Sequence, residues 1–573
     1  MPVVALTIDR RKVEVEQGTS ILEAARRANV KIPTLCYLKD INVVGECGVC
    51  VVEIEGADSL KSACVTPAEE GMRVYTYSPA EREARRKAVE AILARHPFEC
   101  LTCVRNQNCE LQELAANCGI REITIEAAVS ERPVDESSVS ILRNPAKCVQ
   151  CQRCVSVCEK VQTVGALEVK EEGAAKVIAP VNPLLADSNC VNCGQCVLVC
   201  PTAAIQEREQ TDEEWAALAD PRKHVVVQTA PAVRVAIGEE FGMAPGSVAT
   251  GQLVAALRRI GFDRVFDTDF TADLTIMEEG SELLARISNG GTLPLITSCS
   301  PGWIKFIEHF YPQLLPHLST CKSPQQMFGA LAKTYYAQKA GIDPGDIFSV
   351  SIMPCTAKKF EAQRPEMNDS GYRDVDVVLT TRELGRMFKL AGIDFTSLPE
   401  EDYDDPMGIS TGAGVIFGAT GGVMEAALRT VYEIVTKGTL PSLDFYDVRG
   451  LQGVKEATVQ VGDLPVKVAV AHGLGNARRL LDALVAGQAD YHFIEIMCCP
   501  GGCIGGGGQP IPTNLEVRGQ RIAGIYQADA DLPLRKSHEN PAVQQLYAEF
   551  LEKPLGHKSH ELLHTHYTPR GRS

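Results

Sequence analysis

Short apolar runs recur along this chain, and their spacing changes near residue 210. Near the N-terminus, the alternation of apolar and polar positions over Val3–Ile8 and 13–15 predicts a β-hairpin. Ser20 and Glu23 then form a capping-box pattern, which predicts a helix over 21–29. The chain therefore begins with a small α+β unit.

Two polar stretches, 81–93 and 211–224, predict further helices. Beyond them, apolar runs of strand length alternate with helical patterns such as 251–260 and Thr381–Leu390. The strand-like runs lie at 225–229, 293–297, Ile347–Met353, 375–379, 466–470 and 492–497. This alternation predicts an α/β domain with parallel sheets covered by helices.

Cysteine follows three of these runs, at Cys299, Cys355 and Cys499. Ligands of parallel sheets bind at the carboxyl ends of the strands, so we expect a metal cluster at that edge of a sheet. The third run continues into EIMCCPGGCIGGGGQP, residues 495–510. Glycine allows close approach, and this stretch predicts backbone lying against a bulky group that is not protein.

Composition narrows the class of protein. The 573 residues are 45% hydrophobic and 23% charged, which is typical of several globular domains. The sequence has no membrane-spanning run and no signal-peptide pattern, so we expect a cytoplasmic protein that does not bind membranes. The net charge of −16 argues against nucleic acid but is compatible with docking of a protein partner through a local basic patch.

The chain has 22 cysteines, and in a reducing compartment clustered cysteines are expected to be metal ligands before disulfides. Cys118 and Cys321 have no partner at ligand spacing and are expected to be buried packing residues. The first four cysteines are Cys36, Cys47, Cys50 and Cys64. Four thiolates in a small domain bind either zinc or a [2Fe–2S] cluster. The order of hairpin, helix and cysteine loop resembles a plant-type ferredoxin with a longer spacing, which favours the iron–sulfur cluster.

A histidine precedes the next cysteines in the pattern H-x3-C-x2-C-x5-C, formed by His96, Cys100, Cys103 and Cys109. One imidazole and three thiolates bind a zinc ion, or they bind a [4Fe–4S] cluster whose potential the imidazole raises. The spacing alone leaves both alternatives open.

Residues 148–201 carry the most specific motif, a doubled C-x2-C-x2-C-x3-C run. In bacterial ferredoxins the fourth cysteine of each run ligates the other of two [4Fe–4S] clusters. The two expected ligand sets are Cys148, Cys151, Cys154 and Cys200, and Cys158, Cys190, Cys193 and Cys196.

Three segments resemble the signature motifs of [FeFe] hydrogenases of the large clostridial type: TSCSPGW (297–303), MPCTAKKFE (353–361) and EIMCCPGGCIGG (495–506). FGATGGVMEAALR (417–429), RKSHENP (535–541) and the accessory cluster motifs also match, so the resemblance covers the whole chain. The chain is also similar to the hydrogen-activating subunit of NAD(P)-linked hydrogenases.

This resemblance implies an H-cluster, a [4Fe–4S] cubane linked by one cysteine to a diiron unit with carbonyl, cyanide and azadithiolate ligands. The implied cubane ligands are Cys355, Cys499 and Cys503, of which Cys503 bridges to the diiron unit. Lys358 is implied to hydrogen-bond a cyanide. The other residues implied to contact the cofactor are Met353, Met497, Gln325 and Pro231.

One position departs from the family motif, which usually has two adjacent cysteines where this chain has Cys299 and Ser300. A hydroxyl is a harder and far less acidic ligand than a thiol. Ser300 ligates through oxygen, or Cys299 shifts to the cubane, or Cys498 compensates. The family register favours Cys299 as a proton relay and Ser300 as the unusual ligand.

The resemblance also implies a proton path from Cys299 through Glu279 and Ser319 to Glu282. On composition alone Glu279 and Glu282, with Glu278, look like a solvated helix face. A buried carboxylate with a raised pKa would suit proton transfer near neutral pH.

Four domains are expected. They are a plant-type ferredoxin-like [2Fe–2S] domain at 1–78, a histidine-ligated [4Fe–4S] domain at 79–125, a bacterial ferredoxin-like domain with two [4Fe–4S] clusters at 126–209, and the H-cluster domain at 210–573. Electrons would pass between the H-cluster and the two ferredoxin-type clusters, where the path forks to the other two.

Three functions follow as hypotheses. The first is reversible oxidation of dihydrogen with ferredoxin or another redox partner. The second is the catalytic subunit of a multimeric NAD(P)-linked or electron-bifurcating hydrogenase, with NAD(P)-binding subunits as partners. The third is a redox sensor or cluster-assembly relative, which the retained relay residues disfavour. In this family maturation proteins assemble the diiron unit, so they are expected partners as well.

Overall fold

The computed structural model describes residues 2–129, 131–172 and 175–572. Near the N-terminus, five strands form a mixed sheet in the order β2-β1-β5-β3-β4, and the predicted hairpin pairs β1 with β2. The Ser20 hydroxyl accepts the N–H of Glu23, as expected, but the helix ends at Arg27 because Asn29 turns to a positive φ of 53°. The elements are β1 (Val3–Ile8), β2 (Arg11–Glu16), α1 (Ile21–Arg27), β3 (Val51–Ile54), β4 (Lys61–Ser62), β5 (Arg73–Tyr75), α2 (Pro79–Leu93) and α3 (Glu110–Asn117).

The doubled cysteine motif folds into two similar halves. Each half places a cysteine loop before a short helix, and antiparallel strand pairs link the ends of the halves. The elements are β6 (Ile141–Arg143), α4 (Arg153–Ser156), β7 (Leu167–Glu172), β8 (Ala175–Pro180), α5 (Gln195–Val199) and β9 (Ile205–Glu207).

The remaining residues form two four-stranded sheets. The first has the order β11-β10-β13-β14 and is parallel throughout; the second has the order β12-β17-β16-β15. Their strands are β10 (His224–Thr229), β11 (Arg264–Asp267), β12 (Leu295–Ile296), β13 (Ile347–Met353), β14 (Val377–Thr380), β15 (Val454–Val461), β16 (Leu464–His472) and β17 (Phe493–Met497).

The second sheet corrects the expectation of purely parallel sheets, because β15 runs antiparallel to β16. This edge strand alternates exposed with buried positions instead of forming an apolar run, so the search for apolar runs missed it. The run at 293–297 also yields only a short strand, because Pro294 has no N–H to donate to a ladder.

Helices cover both sheets, and apolar clusters fill the faces between them. Within the described residues, no helix is long and apolar enough to cross a membrane. The helices are α6 (Thr211–Ala219), α7 (Thr250–Ile260), α8 (Thr268–Asn289), α9 (Pro301–Phe310), α10 (Pro324–Leu331), α11 (Ala337–Ala340), α12 (Ala357–Ala362), α13 (Thr381–Leu390), α14 (Gly412–Val415), α15 (Gly422–Thr436), α16 (Leu474–Val485), α17 (Leu515–Asp531), α18 (Pro541–Leu546) and α19 (His557–Leu563).

Candidate active site

A cavity of about 70 Å³ lies where β12, β13 and β17 end. The three strand tips converge on it, as predicted, but they come from both sheets: β12 and β17 belong to the second sheet and β13 to the first. The expectation of a single sheet edge is therefore wrong. The side chains that line the cavity include those of Cys299, Ser300, Cys355, Cys498, Cys499 and Cys503.

The implied cofactor contacts surround the same space. Lys358 and Gln325 provide polar atoms, and the remaining wall includes Pro231, Met353 and Met497. The Gln325 side-chain carbonyl oxygen is buried, and no described residue forms a hydrogen bond with it. Three thiols of Cys355, Cys499 and Cys503 with an amine and an amide around a mostly apolar cavity fit a thiolate-bound iron–sulfur core with polar terminal ligands.

Lys358 is held in place by its neighbours. Its ammonium donates to the carbonyl oxygen of Cys299 at 3.1 Å and pairs with the Glu361 carboxylate at 2.8 Å. Ser323 and Gln325 also donate to Glu361, at 2.8 and 3.1 Å. Glu361 is the last residue of the MPCTAKKFE segment, yet sequence reasoning did not assign it this positioning role.

Ser300 precedes α9 without capping it. Its hydroxyl oxygen accepts the Cys498 N–H at 3.2 Å and lies on the cavity wall. The Cys498 side chain is in hydrogen-bond contact with those of Cys193 and Cys499, so it lies between this cavity and the ferredoxin-like module. The identity of the fourth cubane ligand stays a prediction.

The glycine-rich stretch packs mainly on protein. A Cβ on Gly505 would meet the Pro500 carbonyl oxygen at 2.1 Å, and a Cβ on Gly507 would meet the Cys193 carbonyl oxygen at 2.4 Å. Gly502 and Gly506 do line the cavity. The expectation of close approach to a non-protein group is thus wrong for Gly505 and Gly507, which make room for neighbouring backbone.

The two ferredoxin-type sets each surround their own cavity, grouped as the crossover pattern predicts. One cavity is lined by Cys148, Cys151, Cys154 and Cys200. The other is lined by Cys158, Cys190, Cys193 and Cys196. All 22 cysteines lie in the described part of the chain, and none forms a disulfide.

The N-terminal cysteines also come together. The sulfur atoms of Cys50 and Cys64 are 3.3 Å apart, and the side chains of Cys36 and Cys47 are in hydrogen-bond contact. Four free thiols in this arrangement fit the expected metal site.

At the third accessory site, the Nδ1 atom of His96 lies 3.0 Å from the Pro97 carbonyl oxygen, while its buried Nε2 has no hydrogen-bond partner in the described part of the chain. An N–H at Nδ1 leaves the Nε2 lone pair free for a metal. Cys103 and Cys109 lie close enough to interact, whereas Cys100 is exposed.

The proton-path residues lie on α8, on the loop after β12 and on the segment between α9 and α10. Glu279 is 2% exposed and Glu282 is 8% exposed, so the interpretation as a solvated helix face is wrong. Ser319 donates to the Glu282 carboxylate at 3.0 Å and lies within hydrogen-bonding reach of Glu279. Burial, with the nearby Glu282 and Glu495 charges, raises the pKa of Glu279 to about 8. Cys299 is close enough to Glu279 for the carboxylate to raise the thiol pKa further above its usual range, on top of burial.

Three residues that sequence reasoning did not assign adjoin Glu282. Thr320 donates to its carboxylate at 3.3 Å, Cys321 lies 4.0 Å away, and His564 reaches Thr320 from the C-terminal segment. Cys321 had been interpreted as a packing residue. No local motif marks His564, because its contact depends on tertiary structure alone.

Comparisons with known proteins agree along the chain. Residues 223–507 match the family described as Iron only hydrogenase large subunit, C-terminal domain, and 515–570 match Iron hydrogenase small subunit. The N-terminal matches are to a 2Fe-2S iron-sulfur cluster binding domain (2–79), the NADH-ubiquinone oxidoreductase-G iron-sulfur binding region (85–124) and a 4Fe-4S dicluster domain (147–204).

The chain is 52% identical to the NADP-reducing hydrogenase subunit HndD of Solidesulfovibrio fructosivorans over 100% of both chains. It is 43% identical to iron hydrogenase 1 of Clostridium pasteurianum, over 98% of this chain and 99% of that protein. A solved [FeFe]-hydrogenase from Chlamydomonas reinhardtii matches with a TM-score of 0.57 and 49% identity, covering 63% of this chain and 99% of that one. The chain therefore belongs to the iron-only, or [FeFe], hydrogenase family, and it is an iron–sulfur oxidoreductase that interconverts dihydrogen with protons and electrons.

Proposed function

We propose that the inter-sheet cavity holds an H-cluster on Cys355, Cys499, Cys503 and Ser300, with Lys358 directed at its polar ligands. When bound, this group supplies the heterolytic cleavage of dihydrogen, and the protein binds and orients it. The convergence of three distant strand tips on one cavity carries this proposal. Met353, Met497, Pro231 and Gln325 form the wall that excludes water and fixes orientation.

The chain's own groups move the proton. Cys299 would pass it to Glu279, whose pKa of about 8 lets the carboxyl carry a proton near neutral pH. Ser319 donates to Glu282, and its hydroxyl oxygen would accept the proton of Glu279, since a hydroxyl is both donor and acceptor. Glu282 is ion-paired with Arg286 at 2.6 Å, close to the surface.

Four accessory clusters, one [2Fe–2S] and three [4Fe–4S], would carry the electrons through the ferredoxin-like domains at 1–78, 79–125 and 126–209. Contacts between these domains and the catalytic domain at 210–573 support the order of the path. Thr356, next to Cys355, donates to the Asn192 carbonyl oxygen at 2.6 Å, which joins the active-site cavity to the second ferredoxin-type site.

The electron path is proposed to branch at the first ferredoxin-type site. Asn42 donates to the carbonyl oxygens of Cys36 at 2.7 Å and Cys151 at 2.9 Å, joining the N-terminal site to it. Arg105 donates to the Cys200 carbonyl oxygen at 3.2 Å, joining the histidine-containing segment to the same site. Both outer sites therefore adjoin one inner site.

The electron partner is ferredoxin in the first hypothesis and an NAD(P)-binding subunit in the second. The full-length similarity to an NADP-reducing hydrogenase subunit favours the second. Phe98 and Leu101, 71% and 92% exposed beside the histidine-containing site, support a protein partner at that end. The free cysteines support a reducing compartment, and we place the protein in the cytoplasm.

The test uses the full chain matured with the diiron-assembly enzymes and given dihydrogen and an oxidised viologen. We expect viologen reduction by the wild type and none by C355S. In C193S the carbonyl and cyanide infrared bands should persist while viologen reduction slows. This substitution removes a ligand of a proposed electron-transfer cluster and leaves the ligands of the active site in place. A matured wild type that shows neither bands nor reduction would refute the proposal.

A separate purification decides between the two partners. Copurifying subunits would favour the NAD(P)-binding subunit, and a lone chain of 62.0 kDa that is active with ferredoxin would favour ferredoxin.

A further inference from the structure

The proton path proposed above reaches Glu282, and Glu282 faces the C-terminal segment of the chain. We propose that the path continues from Glu282 through Thr320 to His564, with His560 as the exposed proton collector. The inference deepens the proposed function and rests on it. Thr320, His564 and His560 are relay residues that act through Glu282 and do not touch the cofactor.

A continuous set of hydrogen bonds joins Glu282 to His564. The Thr320 hydroxyl donates to the Glu282 carboxylate at 3.3 Å and lies 2.8 Å from Nδ1 of His564. The Thr320 backbone N–H donates to the same carboxylate at 3.1 Å, which fixes the hydroxyl beside it. Thr320 can therefore accept a proton from the imidazole and donate its own to Glu282.

Backbone hydrogen bonds hold His564 beside the segment that contains Thr320. The Lys322 N–H donates to the Leu563 carbonyl oxygen at 2.8 Å, and the Thr565 N–H donates to the Thr320 carbonyl oxygen at 2.7 Å. These two bonds form an antiparallel bridge between Cys321 and His564. The imidazole is thus positioned by strand-like pairing, although it lies in a segment remote in sequence.

The other imidazole nitrogen faces an anion. Nε2 of His564 lies 3.2 Å from the Glu278 carboxylate, which also accepts from the Tyr547 hydroxyl at 2.6 Å and the Leu555 N–H at 2.9 Å. Burial alone would raise the pKa of Glu278, but these hydrogen bonds hold it below its usual range. An ionised Glu278 stabilises the doubly protonated imidazole that a relay needs.

His560 connects His564 and Glu278 to solvent. Its exposed ring lies with its centroid 4.3 Å from that of His564, one turn earlier on α19. The remaining groups that face His564 are Cys321 and Glu282, and Arg286 neutralises part of the Glu282 charge. Although Glu282, Cys321 and His564 could approach one metal ion, hydrogen bonds already use both nitrogens of His564.

The transfer balances atom by atom. In the doubly protonated imidazole, Nε2–H faces the Glu278 carboxylate, and Nδ1 releases its proton to the Thr320 oxygen. The Thr320 O–H bond then breaks as its original proton passes to the Glu282 carboxylate. Rotation of the neutral ring about Cβ–Cγ would turn Nδ1 toward the His560 side to take up the next proton, and the reverse rotation would return it to Thr320. The segment similar to the hydrogenase small subunit would thereby supply the outer end of the proton path.

The test is H564Q, which keeps polar contacts but cannot titrate. We expect hydrogen evolution from reduced viologen to fall on the order of ten-fold above pH 7 and less at pH 6, where Glu282 takes protons directly, with recovery on addition of free imidazole. The second readout is the protein without its diiron unit, in which the deuterium exchange of protonated Glu279, followed by infrared, should slow. H566Q, an exposed histidine nearby, is the matched control and should match the wild type in both.

E282Q separates the two levels of the proposal. If E282Q evolves hydrogen at the wild-type rate, the proposed proton path itself is wrong. If E282Q is slow while H564Q matches the wild type in pH profile and exchange, the continuation through His564 is wrong. An equal loss in H564Q at every pH, without imidazole recovery or slower exchange, would show that His564 only holds the tail in place and would overturn the inference.

Discussion

At the scale of single residues, Ser300 is the position where this chain departs from the motif it resembles. Its hydroxyl oxygen accepts the Cys498 N–H, which leaves its remaining lone pair free at the cavity wall. Cys299 lies on the same wall but beside Glu279, the first carboxyl of the proton path. The geometry thus gives the two neighbours different partners.

Substitutions of Ser300, Cys299 and Cys498 distinguish the three possible fourth ligands of the cubane. We expect S300A to lose iron from the catalytic domain, S300C to retain four irons there because a thiolate is the usual ligand, and C498A to match the wild type. Iron content and electron paramagnetic resonance of the protein without its diiron unit provide the measurement. Retention of iron by S300A together with its loss in C299A would instead assign the ligand to Cys299.

We predict that Glu279 sets the pH dependence of proton delivery. Its pKa of about 8, raised mainly by burial, keeps the carboxyl protonated at neutral pH. Hydrogen evolution should therefore fall as the pH rises through 8, and E279Q should lower it by about 100-fold at every pH, since an amide cannot transfer the proton. Unchanged infrared bands would verify cofactor loading in the variant. Wild-type rates in E279Q would exclude this residue from the path.

At the scale of elements, helix α6, at the start of the catalytic domain, carries a buried carboxylic acid. Glu214 is fully buried, and neither of its carboxyl oxygens has a hydrogen-bond partner among the described residues. Burial, with the Asp376 charge, raises its pKa to about 8. The helix therefore packs with this group uncharged near neutral pH.

The free energy of unfolding should depend on pH through the protonation of Glu214. Because the folded pKa lies above the unfolded value of 4.5, Glu214 contributes stability that is fully present below 4.5 and lost as the pH rises through 8. Relative to E214Q, the wild type should lose about 1.4 kcal/mol per pH unit within that window and nothing further above it. Thermal unfolding across pH measures the difference, with the exposed D212N on the same helix as control. A pH-independent difference would mean that Glu214 is ionised when folded.

The segment before α3 is proposed to hold an accessory cluster through His96, whose buried Nε2 atom has no hydrogen-bond partner among the described residues. We expect H96C to retain the cluster at a lower reduction potential, because thiolate adds negative charge where imidazole is neutral, and H96A to lose iron. Redox titration followed by electron paramagnetic resonance measures both, with the other clusters as internal controls. If iron content and potential are the same in H96C, H96A and the wild type, His96 is not a ligand.

At the scale of the whole molecule, local patterns predicted eight of the 17 described strands and the grouping of the ferredoxin-type cysteines, whereas the expected chemistry of the site came from the family resemblance. They could not predict that Cys355 reaches the cavity from one sheet while Cys299 and Cys499 reach it from the other, because sheet membership depends on strand pairing. Burial of Glu279 and the approach of His564 likewise depend on tertiary packing. The edge strand β15 was missed because its alternation reflects one solvated face.

The arrangement of sites in the molecule follows from contacts between modules. Backbone carbonyl groups beside cluster cysteines accept bonds from neighbouring modules, as Cys151 does from Asn42 and Cys200 from Arg105. Such contacts fix the outer sites against the inner one without a covalent link. We propose that a molecule built in this way moves electrons over several sites while protons pass along α8 and the C-terminal segment.

The most direct measurement is the infrared spectrum of the matured protein, taken for the wild type and for C503S. Carbonyl and cyanide bands should appear in the wild type and vanish in C503S, because Cys503 is proposed to bridge the cubane and the diiron unit in the inter-sheet cavity. Bands of equal strength in both proteins, or none in a fully matured wild type, would contradict the placement of the hydrogen-cleaving centre at these strand tips.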